Sequence, residues 1–458
     1  MSMLKQGYAI LGVWMMIQLF TACANIIPPS GGARDSLAPV LIGAFPKDSA
    51  TNVSPKQVTL TFNEFVTLQN AQENIIISPT IKSTPRFDYK LRNVTVVFKD
   101  TLDANTTYTI LFGDAIKDVN EGNIAKNFKY TFSTGNKIDD FSYSGKVLLA
   151  EKGKVDSTLI VLLHRNLSDT AIIKEKARYY TRLNGKGEFK FYNLAAGDYR
   201  VYVLPNDFTK KYDDSTKLFA FRSQVLTVSK SDITDTLYAF EAVKKTEKQN
   251  NSTAKDDKKL KYSTNLETGV QDLLTPLEIS FNRKLKKIDT SGIQLKDTLF
   301  KRVTDYTIET DTIKNIVRIK YGWRENNNFR LVLDKQAFTD TAGINLPKAD
   351  TIRFSTRKEI EYGSIRLRFT NLKLNQNPVL QFIQSDKLIE SIPLNNSELF
   401  RKFFRGGTYE MRILYDTNKN GIWDTGNFKS KKQPEIVQLI TKPLSVKSNW
   451  DNEVTINL

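Results

Sequence analysis

Residues 187–203 read Gly-Glu-Phe-Lys-Phe-Tyr-Asn-Leu-Ala-Ala-Gly-Asp-Tyr-Arg-Val-Tyr-Val. Apolar and polar side chains alternate on both sides of the Gly-Asp pair. This pattern is typical of two β-strands joined by a turn, because successive side chains of a strand point to opposite faces. Residues 397–414 repeat the pattern without a gap: Phe404, Gly407, Tyr409, Met411 and Ile413 stand for Leu194, Gly197, Tyr199, Val201 and Val203. The chain therefore contains two copies of one β-rich unit.

A different β-rich unit precedes each of these copies. The alternating run Val58-Thr-Leu-Thr-Phe62 has a counterpart in Leu277-Glu-Ile-Ser-Phe281. Residues 329–343 match residues 108–122 with a gap of a single residue, and Phe-Ser-Thr closes both units, at 132–134 and 354–356. Short strands separated by Asn, Asp, Gly and Pro clusters predict antiparallel sandwiches.

Both kinds of unit resemble known families. Residues 46–53, the run Thr61-Phe-Asn-Glu64 and residues 116–123 are similar to the bacterial Ig-like domain first described in surface-layer proteins. That resemblance implies that these residues form strand ends and turns, without catalytic roles. Residues 187–203 resemble the prealbumin-like sandwich also seen in carboxypeptidase regulatory domains. We therefore predict an all-β chain of tandem antiparallel β-sandwich domains, Ig-like and prealbumin-like, in an elongated array.

This interpretation divides the chain into seven segments. They are a lipoprotein signal peptide (1–22), a tether (23–38), an Ig-like domain (39–135), a prealbumin-like sandwich (141–242), a charged linker (243–261), a second Ig-like domain (262–357) and a second prealbumin-like sandwich (360–458). The linker is rich in lysine and lacks large apolar residues beyond its ends, so it cannot form a core.

The start of the chain predicts export. Lys5 precedes an apolar stretch from Tyr8 to Phe20, which has the length of a signal-peptide core and is too short to span a bilayer. The run Leu19-Phe-Thr-Ala-Cys23 resembles the lipobox of bacterial lipoproteins, with Phe20 where Leu or Val is more usual. Cys23 is the only cysteine, so it cannot form an internal disulfide. The resemblance implies that Cys23 carries a lipid.

The residue after Cys23 bears on the destination of the chain. An aspartate directly after the cysteine would resemble an inner-membrane retention signal, but Ala24 stands at this position. We therefore expect the outer membrane, and the sequence leaves open whether the chain faces the periplasm or the cell surface. The formal net charge is +17, but the lysines are spread along the whole chain, which favours a solvated surface. Export leaves nucleic acid out as a natural partner.

The sequence offers few residues for catalysis. His164 is the only histidine, so a Ser-His-Asp triad would have to use it and no multi-histidine metal site exists. The acid pairs Asp139-Asp140 and Asp213-Asp214 are adjacent, and neighbours on a strand point to opposite faces. We therefore predict no enzyme and no cofactor other than calcium.

Calcium is predicted by one loop in the last domain. Asp416, Asn418, Asn420, the Ile422 carbonyl and Asp424 follow the opening of an EF-hand calcium loop, with Gly421 at its sixth position. Asn427 replaces the bidentate glutamate, so affinity would be weak, with a Kd of about 10⁻⁴–10⁻³ M. The alternative is a polar strand connection, since these residues also satisfy their own backbone.

A further pattern is Asp followed by Ser or Thr and then a small or aliphatic residue. It resembles the O-glycosylation sequon of a Gram-negative lineage that is rich in outer-membrane lipoproteins. The alternative is that such pairs are common at turns and strand edges. The acceptor residues are Ser36, Ser49, Thr101, Ser157, Thr170, Thr236, Thr298, Thr312, Thr341 and Thr351.

Three functions are compatible with these observations. The first is a non-catalytic envelope lipoprotein, a scaffold or protein-binding rod held in the outer membrane through Cys23, with an envelope protein or glycan as partner. The second is a carbohydrate-binding lipoprotein of a glycan-uptake system, for which Trp323 and Trp423 are the candidate aromatics, unless they are core residues. The third is an unrecognised hydrolase, which needs converging carboxylates or a polar His164.

Overall fold

The computed structural model describes residues 35–229, 233–243 and 259–458. Cys23, the signal peptide and most of the charged linker lie outside these residues. The described residues divide into two compact units. The first consists of the residues up to Phe141 together with Tyr192–Ala195, and the second consists of Ser142–Phe191 and Ala196–Leu458. The strands of the two units lie within the four predicted spans.

The first span, 39–135, contains nine strands and one short helix, α1 (Ala71–Asn74). The strands are β1 (Leu41–Phe45), β2 (Gln57–Phe62), β3 (Val66–Leu68), β4 (Ile76–Ser78), β5 (Arg86–Lys90), β6 (Asn93–Val97), β7 (Thr107–Gly113), β8 (Ile116–Asp118) and β9 (Phe128–Ser133). They form sheets of order β1-β2-β6-β5 and β4-β7-β9 and the pair β3-β8. The alternation in β2 buries Val58, Leu60 and Phe62, which confirms the predicted sandwich core.

The described residues of the second span form eight strands and the short helix α2 (Ala171–Lys174). The strands are β10 (Phe141–Leu149), β11 (Leu159–His164), β12 (Tyr179–Arg182), β13 (Glu188–Leu194), β14 (Gly197–Pro205), β15 (Ala220–Phe221), β16 (Leu226–Val228) and β17 (Ile233–Ala239). One sheet has the order β13-β10-β17 and the other β12-β11-β14-β15, with β16 also on β14.

The third span repeats the Ig-like layout. Its strands are β18 (Tyr262–Thr264), β19 (Val270–Gln271), β20 (Leu277–Phe281), β21 (Leu285–Ile288), β22 (Ile293–Lys296), β23 (Thr307–Asp311), β24 (Ile316–Lys320), β25 (Asn328–Leu333), β26 (Phe338–Asp340) and β27 (Asp350–Thr356). They form sheets of order β18-β20-β24-β23 and β19-β27-β25-β22 and the pair β21-β26. One buried carboxylate occupies the same position in the first and third spans. Asp118 and Asp340 are both buried and accept hydrogen bonds from the amides of the following turn.

The fourth span repeats the layout of the second. Its strands are β28 (Tyr362–Thr370), β29 (Pro378–Gln384), β30 (Lys387–Pro393), β31 (Glu398–Arg405), β32 (Gly407–Tyr415), β33 (Ile436–Val446) and β34 (Asp451–Asn457), in sheets of order β31-β28-β34 and β30-β29-β32-β33. In both copies the first strand pairs in parallel with the last, β10 with β17 and β28 with β34, so these sheets are not purely antiparallel.

The internal repeat predicted from the sequence is confirmed residue by residue. β14 and β32 are nine residues long and start at the matched glycines, Gly197 and Gly407. Tyr199 and Tyr409 follow two residues later, and both side chains are buried. The matched pairs therefore occupy equivalent core positions in the two domains.

The second unit departs from an elongated row in one respect. A row predicts contacts between domains that are neighbours in sequence, whereas here the second and fourth domains touch directly. The Val437 amide donates to the Ala150 carbonyl at 3.1 Å, and Arg412 Nη1 donates to the Glu151 carbonyl at 3.1 Å. The physical reason is that the long connection between β32 and β33 carries apolar side chains onto the second domain.

Candidate functional site

The predicted calcium loop is the first part of this connection, which runs from Asp416 to Glu435. The Asp416 side chain is 2% exposed, and its carboxylate accepts hydrogen bonds from the amides of Gly421 at 2.7 Å and Asn420 at 3.3 Å. Gly421 has a φ of 76°, a left-handed conformation that glycine adopts without strain. Asp416 therefore fixes the tight turn on which the predicted ligands are arranged.

Glu435 closes the loop, and the sequence pattern did not reveal it. Its side chain is 3% exposed, and one carboxylate oxygen accepts from the amide and the hydroxyl of Thr417, both at 2.7 Å. The other oxygen accepts from the Asp424 amide at 3.0 Å. Glu435 stands nineteen positions after Asp416, beyond any calcium-loop spacing, so only the tertiary structure brings the two carboxylates to one loop.

The predicted ligands are brought together, but they bond to one another. The side-chain amides of Asn418 and Asn420 both donate to the Asp424 carboxylate, and the Asn420 side-chain oxygen accepts from the Ile422 amide at 2.8 Å. In the described part of the chain, no three Asp, Glu, His or Cys side chains form a group that could hold a metal ion. The oxygen-rich loop agrees with both alternatives, and calcium binding stays a prediction.

The second part of the connection docks on the second domain. Phe428 enters an aromatic cluster there, with its ring centroid 5.1 Å from Phe219, 5.3 Å from Phe221 and 5.8 Å from Tyr202. Gly426 lies against Phe240, where a Cβ atom would come within 2.6 Å of the ring. This close approach requires glycine.

Of the two candidate tryptophans, one is a core residue and the other is half-buried at a domain contact. Trp323 is 7% exposed and belongs to the core of the third domain, where its Nε1 donates to the Thr275 carbonyl at 3.1 Å. Trp423 is partly buried against the second and fourth domains, and its Nε1 donates to the Glu435 carbonyl at 2.8 Å. Trp323 therefore presents no open aromatic face to a glycan, whereas Trp423 is only partly covered.

His164 lies in the sandwich core of the second domain. It is 1% exposed, and burial lowers its pKa to about 4, against a smaller opposing effect of Glu175. Its Nε2 has no hydrogen-bond partner, so no serine or aspartate is bonded there as a triad requires. The ring packs edge-on against Tyr202 at 5.7 Å, which is a structural contact.

A cleft of about 560 Å³ between the third and fourth domains is lined by Glu267, Asp272 and Glu390. Glu267 is bound by Arg405 and, at 2.6 Å, by Arg357, and Asp272 lies 3.9 Å from Arg357. Burial raises the pKa of Glu390. Because Glu267 is paired with Arg405 across the domains and with Arg357 within the third domain, and Asp272 lies near Arg357, the cleft provides no free acid pair of the kind a glycosidase uses.

All ten predicted glycosylation residues are exposed: Ser36, Ser49, Thr101, Ser157, Thr170, Thr236, Thr298, Thr312, Thr341 and Thr351. The buried serines and threonines, such as Thr109 and Thr131, are not among them. The predicted acceptors are thus accessible wherever they lie in the fold. Cys23, the predicted lipidation site, is outside the described residues.

Comparison with known proteins places the first domain in a family. Residues 35–134 match the bacterial Ig-like domain family Big_5, which confirms the resemblance found in the sequence for this domain. No curated protein matches the chain. Among the residues that the structure describes, no helix has the length and apolar character needed to cross a membrane.

Several solved structures are similar to the chain. They include the major pilin subunit BcpA of Bacillus cereus (10% identity, 69% of this chain and 98% of the pilin, TM-score 0.16) and the TIE protein of Bacillus anthracis (11%, 94% and 75%, TM-score 0.16). An L,D-transpeptidase from Mycobacterium smegmatis is also similar (12%, 42% and 77%, TM-score 0.16). At these TM-scores the similarity carries no argument about function.

Proposed function

We propose that the chain is a non-catalytic envelope lipoprotein, anchored in the outer membrane by a lipid on Cys23, whose sandwich domains act as a scaffold or protein-binding module. The observation that carries the proposal is the lipobox-like run ending at Cys23, the only cysteine among 458 residues. Two or three acyl chains give a durable anchor, whereas one holds a protein only weakly.

The described body supports the non-catalytic part of the proposal. Its single histidine is buried without a partner on Nε2. Its buried carboxylates hold backbone amides in place, such as Glu435 in the loop and Asp118 in a turn. Within the second unit, the third and fourth domains are joined by side-chain contacts such as that of Arg405 with Glu267. Sandwiches joined in this way suit a protein-binding module.

Two modifications of this scaffold belong to the proposal. We infer that the Asp-Ser and Asp-Thr sites carry O-linked glycans, because all ten acceptor residues are exposed. We infer that the loop at Asp416 takes calcium weakly, because its oxygen side chains are already gathered on one turn. Glycans would shield exposed sheet edges from association.

The anchor is tested by detergent phase partitioning of cells that express the wild type or the Cys23→Ala variant. The wild type is expected in the detergent phase. The variant is expected in the aqueous phase or as an unprocessed precursor. Equal partitioning of two processed proteins into the aqueous phase would overturn the proposal.

A further inference from the structure

One end of the first domain exposes a group of large apolar side chains, called here the apolar crown. Its members are Leu37, Val40, Phe65, Leu91 and Val119, which are 46–71% exposed. Single exposed apolar residues are ordinary on protein surfaces, but a contiguous group marks an interaction site.

The strand register explains why these residues meet. Leu41 at the start of β1 pairs with Phe62 at the end of β2, and Val66 at the start of β3 pairs with Asp118 at the end of β8. The turn between β5 and β6 follows the pair Lys90 and Asn93, and Asn93 itself faces Thr61 near the end of β2. The four segments that carry the crown therefore lie at the same end of the sandwich.

Backbone hydrogen bonds tie these segments together. The Val66 amide donates to the Leu91 carbonyl at 2.9 Å, and the Val119 amide donates to the Phe65 carbonyl at 3.0 Å. The Asn63 amide donates to the Val40 carbonyl at 3.0 Å. The crown is thus built on a bonded framework, and its side chains are exposed.

The chain enters this domain through the crown. Asn123 Nδ2 donates to the Asp35 carbonyl at 3.0 Å, which places Asp35, the first described residue, at this end. The chain leaves the domain at the opposite end, where the Asn52 amide donates to the Gly135 carbonyl at 2.7 Å. Asp35 follows Cys23 by twelve positions, which span about 40 Å at full extension.

Charges of both signs surround the crown. Arg92 lies over the Phe65 ring at 5.7 Å. The Glu64 carboxylate interacts electrostatically with the carboxylates of Asp35 and Glu121. Because the rim carries charges of both signs, its charge does not single out anionic lipids. Its contribution to a membrane contact is apolar area, which salt does not weaken.

We propose that the apolar crown docks on the lipid bilayer and holds the first domain upright on the membrane. This inference rests on the proposed lipid anchor, because a lipid on Cys23 keeps the crown within about 40 Å of the bilayer and so at high effective concentration. Neither the charge of the rim nor its position favours a protein partner over the adjacent membrane.

The test places a fluorophore at the crown of the anchored protein. In the lipidated chain the Cys23 sulfur is blocked, so a cysteine introduced as Val119→Cys is the only free thiol. The matched control is Ile313→Cys in the third domain, where the native side chain is 95% exposed. In phosphatidylcholine vesicles, we expect the label at 119 to shift to shorter wavelengths and to be quenched by nitroxides on the lipid tails, and the label at 313 to do neither.

A label at 119 as accessible to water as the label at 313 would overturn the inference. Failure of the anchor is distinguishable, because mass analysis reports the Cys23 lipid separately. If Cys23 is unmodified, the emission and quenching of the same two labels are measured in a Cys23→Ala background with added vesicles. Quenching at 119 alone still supports docking of the crown on the bilayer. In that background, Leu91→Asn combined with Val119→Ser should reduce vesicle partitioning at least tenfold, since each lost apolar side chain removes buried area.

Discussion

The ring of Phe428 in the fourth domain lies 5.1 Å from the ring of Phe219 in the second, packed edge-on in a cluster that includes Phe221 and Phe240. Aromatic pairs of this geometry contribute about 0.5–1.5 kcal/mol beyond the area they bury. Lys431 stands over the Phe428 ring at 4.0 Å and also pairs with Asp169 of the second domain at 2.5 Å. The contact therefore ties together two domains that are not consecutive in the chain.

Phe428→Ala is expected to destabilise the second domain as well as the fourth. Removing a buried phenylalanine costs about 3–5 kcal/mol, because the cavity left behind is only partly refilled. Calorimetry should show a lower midpoint for the transition that contains the second domain. Phe400→Ala is the matched control, since Phe400 is 51% exposed and should change the midpoint little. Equal midpoints for the two variants would contradict the docking contact.

Stability should fall as the pH falls from about 6.5 to about 4, and His164 should account for part of the loss. Its pKa is lowered to about 4 in the folded protein by burial, whereas in the unfolded chain it is near 6.5. The unfolded state therefore binds a proton first, and the free energy of unfolding drops by roughly 3 kcal/mol across this range.

The measurement compares the wild type with His164→Phe, which keeps an aromatic ring against Tyr202 and removes the titrating group. Denaturation is followed at pH 7 and pH 4.5, and the variant should lose less stability than the wild type between the two. Identical losses would show that His164 is solvated or already charged in the folded protein.

Millimolar calcium should raise the melting temperature of the fourth domain. With a Kd of about 1 mM, a tenfold excess of calcium stabilises the folded state by about 1.4 kcal/mol. Asp416→Asn should abolish the calcium-dependent difference, although it also weakens the turn. Magnesium at the same concentration is the control for ionic strength. A wild type that melts at the same temperature with and without calcium would identify the loop as a polar connection.

Glycopeptide mass spectrometry should find O-linked glycans at exposed Asp-Ser and Asp-Thr sites. Thr101→Ala and Ser157→Ala should each remove one glycan mass. Thr425 is a control within the chain: it follows Asp424, but it is half-buried and its hydroxyl donates to the Glu241 carbonyl at 2.6 Å. Bare peptides at Thr101 and Ser157 from the native host would contradict the glycosylation hypothesis.

The sandwich fold and the internal repeat could be predicted because they depend on local patterning. Alternation in runs such as Val58–Phe62 decides which face is buried, and Gly197 and Gly407 mark the same strand start in two copies. Such signals survive in the sequence because each strand must bury one face whatever lies beyond it.

The contact between the second and fourth domains could not be predicted, since nothing local distinguishes Phe428 from an ordinary core residue of its own domain. Glu435 was missed for the same reason: its role depends on Thr417 and Asp424, which only the folded loop brings to it. Trp423 was ambiguous in sequence, because an aromatic residue in a polar loop suits a glycan surface as well as a domain contact.

The central claim is the lipid on Cys23, and mass spectrometry of the mature N-terminus from a membrane fraction tests it most directly. We expect an N-terminal peptide that begins at Cys23 and carries the mass of a diacylglycerol thioether, absent from the Cys23→Ala variant. A mature chain that has a free thiol at Cys23 and is recovered in the soluble fraction would contradict both the anchor and the envelope location.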